Sequence, residues 1–238
     1  MTRATVIARR ELGSYFYSPI AYVALVIFLL LCGGMFWKDF RPGEPAVMRT
    51  IFDNMVNILV VVIPLLCMGL LAQEWATGTI ETMMTAPIGE SDIVVGKFLG
   101  SLGFLIILLV PTLLYVLMLR IYGHPEAGPI VSGYIGIILV GAMFISVALF
   151  CSSLTRSQIV AAVAAMGILA LITIVPWLLG GLAGLPGFWR SVVDQAVFRR
   201  YSEFSRGELD TGNIAFFVVS TAVFLFFTVK VLESRRWK

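Results

Sequence analysis

Six runs of apolar residues, each close to the length that crosses a bilayer, limit what this chain can fold into more than any other feature. They fall at roughly 20–37, 56–73, 93–119, 132–154, 158–182 and 213–232. A helix needs about 20 such residues to span the hydrocarbon core. Inside that core each backbone amide must be satisfied within its own segment or by barrel closure, and uninterrupted runs of this length fit helices. With 59% hydrophobic and 13% charged residues and a mean hydropathy of +0.97, the chain lies outside the range of soluble domains. The reading is an all-α integral membrane protein with six transmembrane helices, residues 1–238 forming a single transmembrane domain. Pro64, Pro111 and Pro176 fall inside the second, third and fifth runs and predict kinks there.

The segments between the runs carry their own patterns. In 2–17, Ala4, Ile7, Ala8, Leu12, Tyr15 and Phe16 share one helical side, while Arg3, Arg10 and Ser14 share another. This predicts an amphipathic helix lying in the membrane interface. Ser18-Pro19 then turns the chain into the first span. The segment 184–212 is too polar to span. Trp189, Val192, Val193, Ala196 and Val197 follow helical spacing within it, predicting an outer interfacial helix, with Arg190, Arg199, Arg200 and Arg206 as anchors at the lipid surface. With the N-terminus inside, the Lys/Arg tally is nine inside against eight outside. Arg9 and Arg10 before the first span and the closing ESRRWK decide for two cytoplasmic termini.

Several chemistries are missing from the sequence. The run 89–97, GESDIVVGK, is two residues too long for a P-loop and has Phe98 where the hydroxyl belongs, so ATP is not expected on this chain. Lys97 reads instead as a snorkelling residue at the start of the third span. The central portions of the runs hold no carboxylate, histidine or arginine, which disfavours a proton relay. No protease constellation occurs in them, and no metal or catalytic site is read. Cys32, Cys67 and Cys151 have no metal-ligand spacing and read as buried thiols, and His124 reads as a loop residue. A net charge of +3 is too small and scattered for a nucleic-acid partner. Two Gly-x-x-x-Gly matches, Gly96 to Gly100 and Gly180 to Gly184, are weak signs of close helix approach in so glycine-rich a chain.

The stretch 74–88 between the second and third runs holds the chemistry that is left. Glu74, Gly78 and Glu81 stand at i, i+4, i+7, so one short helix presents them on one side and Ile80, Met83 and Met84 on the other, with Pro87 and Gly89 as its stop. An acidic face held between two spans is a lever, because a push on it moves both helices.

EWATGTIETMMTAP at 74–87, followed by GESDIVVGKFLGS, resembles the link between the second and third helices in permease subunits of the type-2 family of bacterial ABC exporters. The matching positions are Glu74, Gly78, Thr79, Ile80, Glu81, Met83, Met84, Pro87, Gly96 and Lys97. SPIAYV at 18–23, FSRGELD at 204–210 and the final VLESRRWK resemble the gliding-motility-like branch. The resemblance implies a six-helix permease in the bacterial cytoplasmic (inner) membrane, with a coupling helix at 74–88 that docks on a separate ATPase subunit. ATP and Mg²⁺ then belong to that partner, and this chain carries no cofactor. Further implied partners are a second permease copy or a paralogue, membrane lipids, and a periplasmic or membrane accessory protein. The docking residues are Glu74, Trp75, Gly78, Thr79, Glu81 and Pro87. Where the family has charged residues after the first glutamate, this chain has Trp75, Ala76 and Thr77, so an apolar contact by Trp75 is expected there. The function implied is export of a substrate coupled to ATP hydrolysis. The alternative is a membrane anchor for a cell-envelope complex that docks an ATPase without moving a substrate.

Overall fold

The computed structural model describes residues 3–39, 48–79, 89–122, 126–180 and 197–236. All regular structure among them is helical. In chain order the helices are α1 (Arg3–Tyr17), α2 (Pro19–Asp39), α3 (Arg49–Cys67), α4 (Gly69–Thr77), α5 (Glu90–Leu109), α6 (Leu113–Tyr122), α7 (Ala127–Leu154), α8 (Gln158–Gly180), α9 (Val197–Phe204) and α10 (Thr211–Arg236).

Six helices or helix pairs are long and apolar enough to span: α2, α3 with α4, α5 with α6, α7, α8 and α10. Each overlaps one run predicted from the sequence. The second is longer than expected, running Arg49–Thr77, because its first turns carry Arg49, Asp53 and Asn57, which lower the hydropathy of a stretch whose other face buries Ile51, Phe52, Met55 and Val56. Burial ranks the spans. In the second span and α7, 67% and 72% of the apolar window is inside the bundle, against 28% in α2 and 17% in α10. The bundle is therefore built around α3 and α7, and α2 and α10 turn most of their apolar surface outward, where lipid tails are as good a solvent as protein.

The three prolines at which kinks are expected are accommodated in different ways. Pro64 and Pro176 lie within continuous α3 and α8. At Pro111 the third span tightens into a 3-10 turn, Val110–Thr112, where the Thr112 hydroxyl donates to Leu109 O at 2.6 Å. The second span instead breaks at Met68, four residues after Pro64. A hydroxyl from across the bundle fills the break: Ser152 Oγ on α7 donates to Met68 O at 2.9 Å and accepts from Leu71 N at 3.1 Å and Ala72 N at 3.0 Å. Ser152 is fully buried. Ser152→Ala strands two amide donors without an acceptor, and the unfolding free energy in mixed micelles is expected to fall by about 2 kcal/mol. A change under about 0.5 kcal/mol, the ordinary surface-substitution level, would show that α4 repairs its own hydrogen bonds.

The outer segment is described only from Val197 onward. Most of the predicted 189–197 helix lies outside the described residues. The described helix, α9, buries Val197, Tyr201 and Phe204 at i, i+4, i+7, so this face meets protein. Ser132 Oγ on α7 stands 2.8 Å from Phe204 O and 2.9 Å from Gly128 O. Arg200, expected as a lipid anchor, donates to Asn213 Oδ1 at 3.1 Å and lies 4.4 Å over the Phe216 ring, while Asn213 donates to Glu203. Burial holds the Tyr201 phenol well above its ordinary pKa, with the Asp53 carboxylate adding to the effect.

Candidate functional site

The site is assembled where α1, α4 and α5 meet. Helix α4 ends at Thr77 because Gly78 turns left-handed, at φ 73° and ψ 1°. A Cβ at Gly78 would meet nothing within 4 Å, so backbone conformation, not space, asks for glycine there. The turn also ends the helical register, so Glu74 belongs to the end of the second span and does not share one continuous helix with residues beyond Gly78. Thr77 Oγ1 donates to Gln73 O at 2.9 Å, which leaves Thr79 Oγ1 as the donor in their 3.0 Å contact.

Lys97, expected to snorkel toward the membrane surface, turns inward instead. It is 1% exposed, and its Nζ lies 2.7 Å from Glu74 Oε1 and 3.0 Å from Glu11 Oε1. Arg10 closes the network, 3.0 Å from Glu11 and 3.8 Å from Glu74. Two cations and two carboxylates cancel, which is how four charges can sit together at the edge of an apolar bundle. Arg10 and Glu11 come from α1, Glu74 from α4 and Lys97 from α5. The network thus fixes the register of three helices at once.

Close helix contact brings these charges into reach. A Cβ built on Gly96 would stand 2.7 Å from Ile7 Cβ and 2.9 Å from Ala4 O; on Gly100 it would stand 2.8 Å from Glu11 Cβ and 3.0 Å from Ala8 O. The Gly96 to Gly100 match is therefore a helix-packing groove, and α1 lies in it. The apolar stripe of α1 that predicts a lipid-facing helix rests on α5, with Ile7 and Tyr15 both buried. Tyr15 stacks on Phe104, ring centroids 4.7 Å apart. Its hydroxyl is 2.9 Å from Ser101 Oγ, whose own proton goes to Lys97 O at 3.0 Å, so Tyr15 is the donor. Burial keeps that phenol protonated by raising its pKa well above the ordinary value, with the Cys67 thiol next in effect.

Trp75 adds a fourth element. Its indole packs against the core, and the Arg235 guanidinium near the end of α10 lies 4.8 Å over its ring. Arg235 also donates to Leu154 O, the last residue of α7, at 2.7 Å. Of the predicted site residues, Glu74, Trp75, Gly78 and Thr79 thus stand at one end of the bundle, and Glu81 and Pro87 lie outside the described residues. Arg10, Glu11, Lys97 and Arg235 were not singled out as site residues by the sequence. The signal for Lys97 was its place directly after Gly96; for Glu11 it was an acidic residue one turn beyond Ile7 on the packing stripe. Among the described residues, no group of three or more His, Cys, Asp or Glu could hold a metal ion.

The described residues form a helical bundle with six candidate spans and a charged hub where the second span ends and the third begins. Residues 5–186 match the model for ABC-2 family transporter proteins, more than half of the chain, and the protein belongs to that family. No curated protein matches it.

Proposed function

We propose that this chain is the membrane subunit of an ABC exporter, in which ATP hydrolysis on a separate ATPase drives substrate movement across the bacterial cytoplasmic membrane. The hub end of the bundle faces the cytoplasm in this reading, with both termini on that side, and the segment 74–88 docks on the ATPase through Glu81, Thr79 and Pro87. The subunit works as a pair with a second copy or a paralogue. The motifs at 18–23 and 204–210 support a place in the gliding-motility-like branch. One observation carries the reading: the Glu74–Trp75 step, at the start of the docking segment, is tied to α1 and α5 through Glu11 and Lys97 and to α10 through Arg235. A displacement applied just beyond Gly78 reaches four helices without first passing through lipid.

Glu81→Arg is the direct test, because it reverses a charge on the proposed docking segment and leaves the hub residues Arg10, Glu11, Glu74 and Lys97 unsubstituted. Tagged chain purified in mild detergent is expected to bring down an ATPase with vanadate-sensitive turnover. The variant is expected to bind it about tenfold or more weakly, a step of ~1.4 kcal/mol. Equal recovery and equal turnover with the variant would remove Glu81 from the coupling role. A monodisperse chain that recovers no ATPase in either form would overturn the ATPase partner, and a recovered ATPase whose turnover moves no substrate would favour the anchor.

A further inference from the structure

A cavity of about 610 Å³ lies beside the hub, between the α1–α2 junction, the end of the second span and the start of α8. It falls within the range of roughly 300–1,000 Å³ typical of ligand sites. Its lining is mixed. Glu11, Glu74 and Lys97 of the hub, with Arg10, Gln73 and Gln158, supply its polar groups. Leu65, Leu66, Leu70 and Ala21 supply its apolar ones. Ser18 and Ile20 also line it, at the start of α2. Ile20, Val23 and Ile27 follow one another along a single exposed stripe of α2, 47%, 57% and 42% exposed, leading away from the cavity into the lipid-facing surface.

We propose that this cavity binds a membrane phospholipid with a zwitterionic, primary-amine headgroup. A chamber holding polar groups and opening onto an apolar stripe fits a molecule with a polar head and hydrocarbon tails, with the tails leaving along α2. The charge of the chamber selects the head. Arg10 and Lys97 are balanced by Glu11 and Glu74, so neither a purely anionic nor a purely cationic group meets a field of one sign. Lys97 is already engaged by two carboxylates, whereas Arg10, 58% exposed, offers N–H donors to a phosphate. Glu11 and Glu74 line the chamber and keep 13% and 15% side-chain exposure, and Gln73 and Gln158, whose amides can accept, line it beside them. These acceptors suit an ammonium that carries N–H donors, which a choline headgroup lacks. The proposal concerns binding by this chain alone and stands or falls separately from any ATPase partner.

The test is native mass spectrometry of the full chain from neutral-detergent micelles holding equal amounts of dioleoyl phosphatidylethanolamine, phosphatidylcholine and phosphatidylglycerol. The ethanolamine lipid is expected to be retained about fivefold over each of the others, the size of one net hydrogen bond. Leu66→Trp fills the cavity from an apolar lining position without touching the charges, and is expected to abolish that excess while leaving elution and thermal midpoint unchanged. If Leu66→Trp does not fold, Ser18→Trp applies the same block from the α2 side. Equal retention of the three lipids, an excess of phosphatidylglycerol, or an ethanolamine excess that persists in a folded blocked variant would each overturn the proposal.

Discussion

Lys97→Met is expected to lower the unfolding free energy of this protein by about 3 kcal/mol, the low end of what breaking a buried ion pair costs. Methionine fills nearly the volume of the lysine stem, so little of the loss comes from a cavity. The cost arises in what remains: Glu11 and Glu74, both close to the vanished ammonium and only 13% and 15% exposed, keep Arg10 as the one cation paired with them among the described residues. That residual exposure lets some water reach the carboxylates and keeps the effect from the top of the range. Glu74→Gln in the Lys97→Met background removes one stranded charge and is expected to restore part of the loss. A double-mutant cycle on unfolding in mixed micelles measures the coupling directly. Salt separates the two halves of the network: the Arg10–Glu11 contact, with Arg10 58% exposed, is screened, and the Lys97 contacts, 2% exposed at the side chain, are not. If Lys97→Met leaves stability within about 0.5 kcal/mol, the level of an ordinary surface change, the hub is not a structural clamp.

The sequence displayed the spans and hid their partners, for physical reasons. Hydropathy is a local property, so six helices can be read from six runs, and the largest trimming fell on the polar first turns of α3, where Arg49, Asp53 and Asn57 precede the buried stripe. Amphipathicity is local too, but it shows only that α1 has an apolar face. Lipid and a groove in α5 satisfy that face equally well, and the choice depends on Gly96 and Gly100, which lie far along the chain. The Lys97 pairs span 86 residues to Glu11 and 23 to Glu74, beyond the reach of any spacing rule. A single lysine at a span boundary therefore reads as snorkelling. Glu74 stood out because carboxylates are rare in this chain, but rarity does not show which way a side chain turns. Ser152 carried no signal at all: its role depends on a break at Met68 that Pro64 suggests but does not locate.

Gly96→Leu is expected to push α1 out of its groove, and a comparison among glycines isolates the cause. Alanine in place of a mid-helix glycine normally stabilises by about 0.5–1 kcal/mol, because less backbone entropy is lost. Gly13 on α1 has nothing within 4 Å of its would-be Cβ, so Gly13→Ala is expected to show that gain. At Gly96 the same added carbon lies 2.9 Å from a backbone oxygen of α1, which cannot rotate aside as a side-chain end would. Overpacking costs about 1–3 kcal/mol where neighbours can move, so even Gly96→Ala is expected to be a net loss, and leucine exceeds what the interface can absorb. With α1 displaced, Glu11 leaves Lys97 and Tyr15 leaves Ser101, so the hub loses its contribution from α1 although no charge has been altered. A free helix of 15 residues is marginal in water, so the amides of α1 should then exchange hydrogen rapidly while those of α3 and α7 stay protected. Protection of α1 that matches the wild type in Gly96→Leu would show that the helix is held by lipid, and that its contact with α5 is incidental.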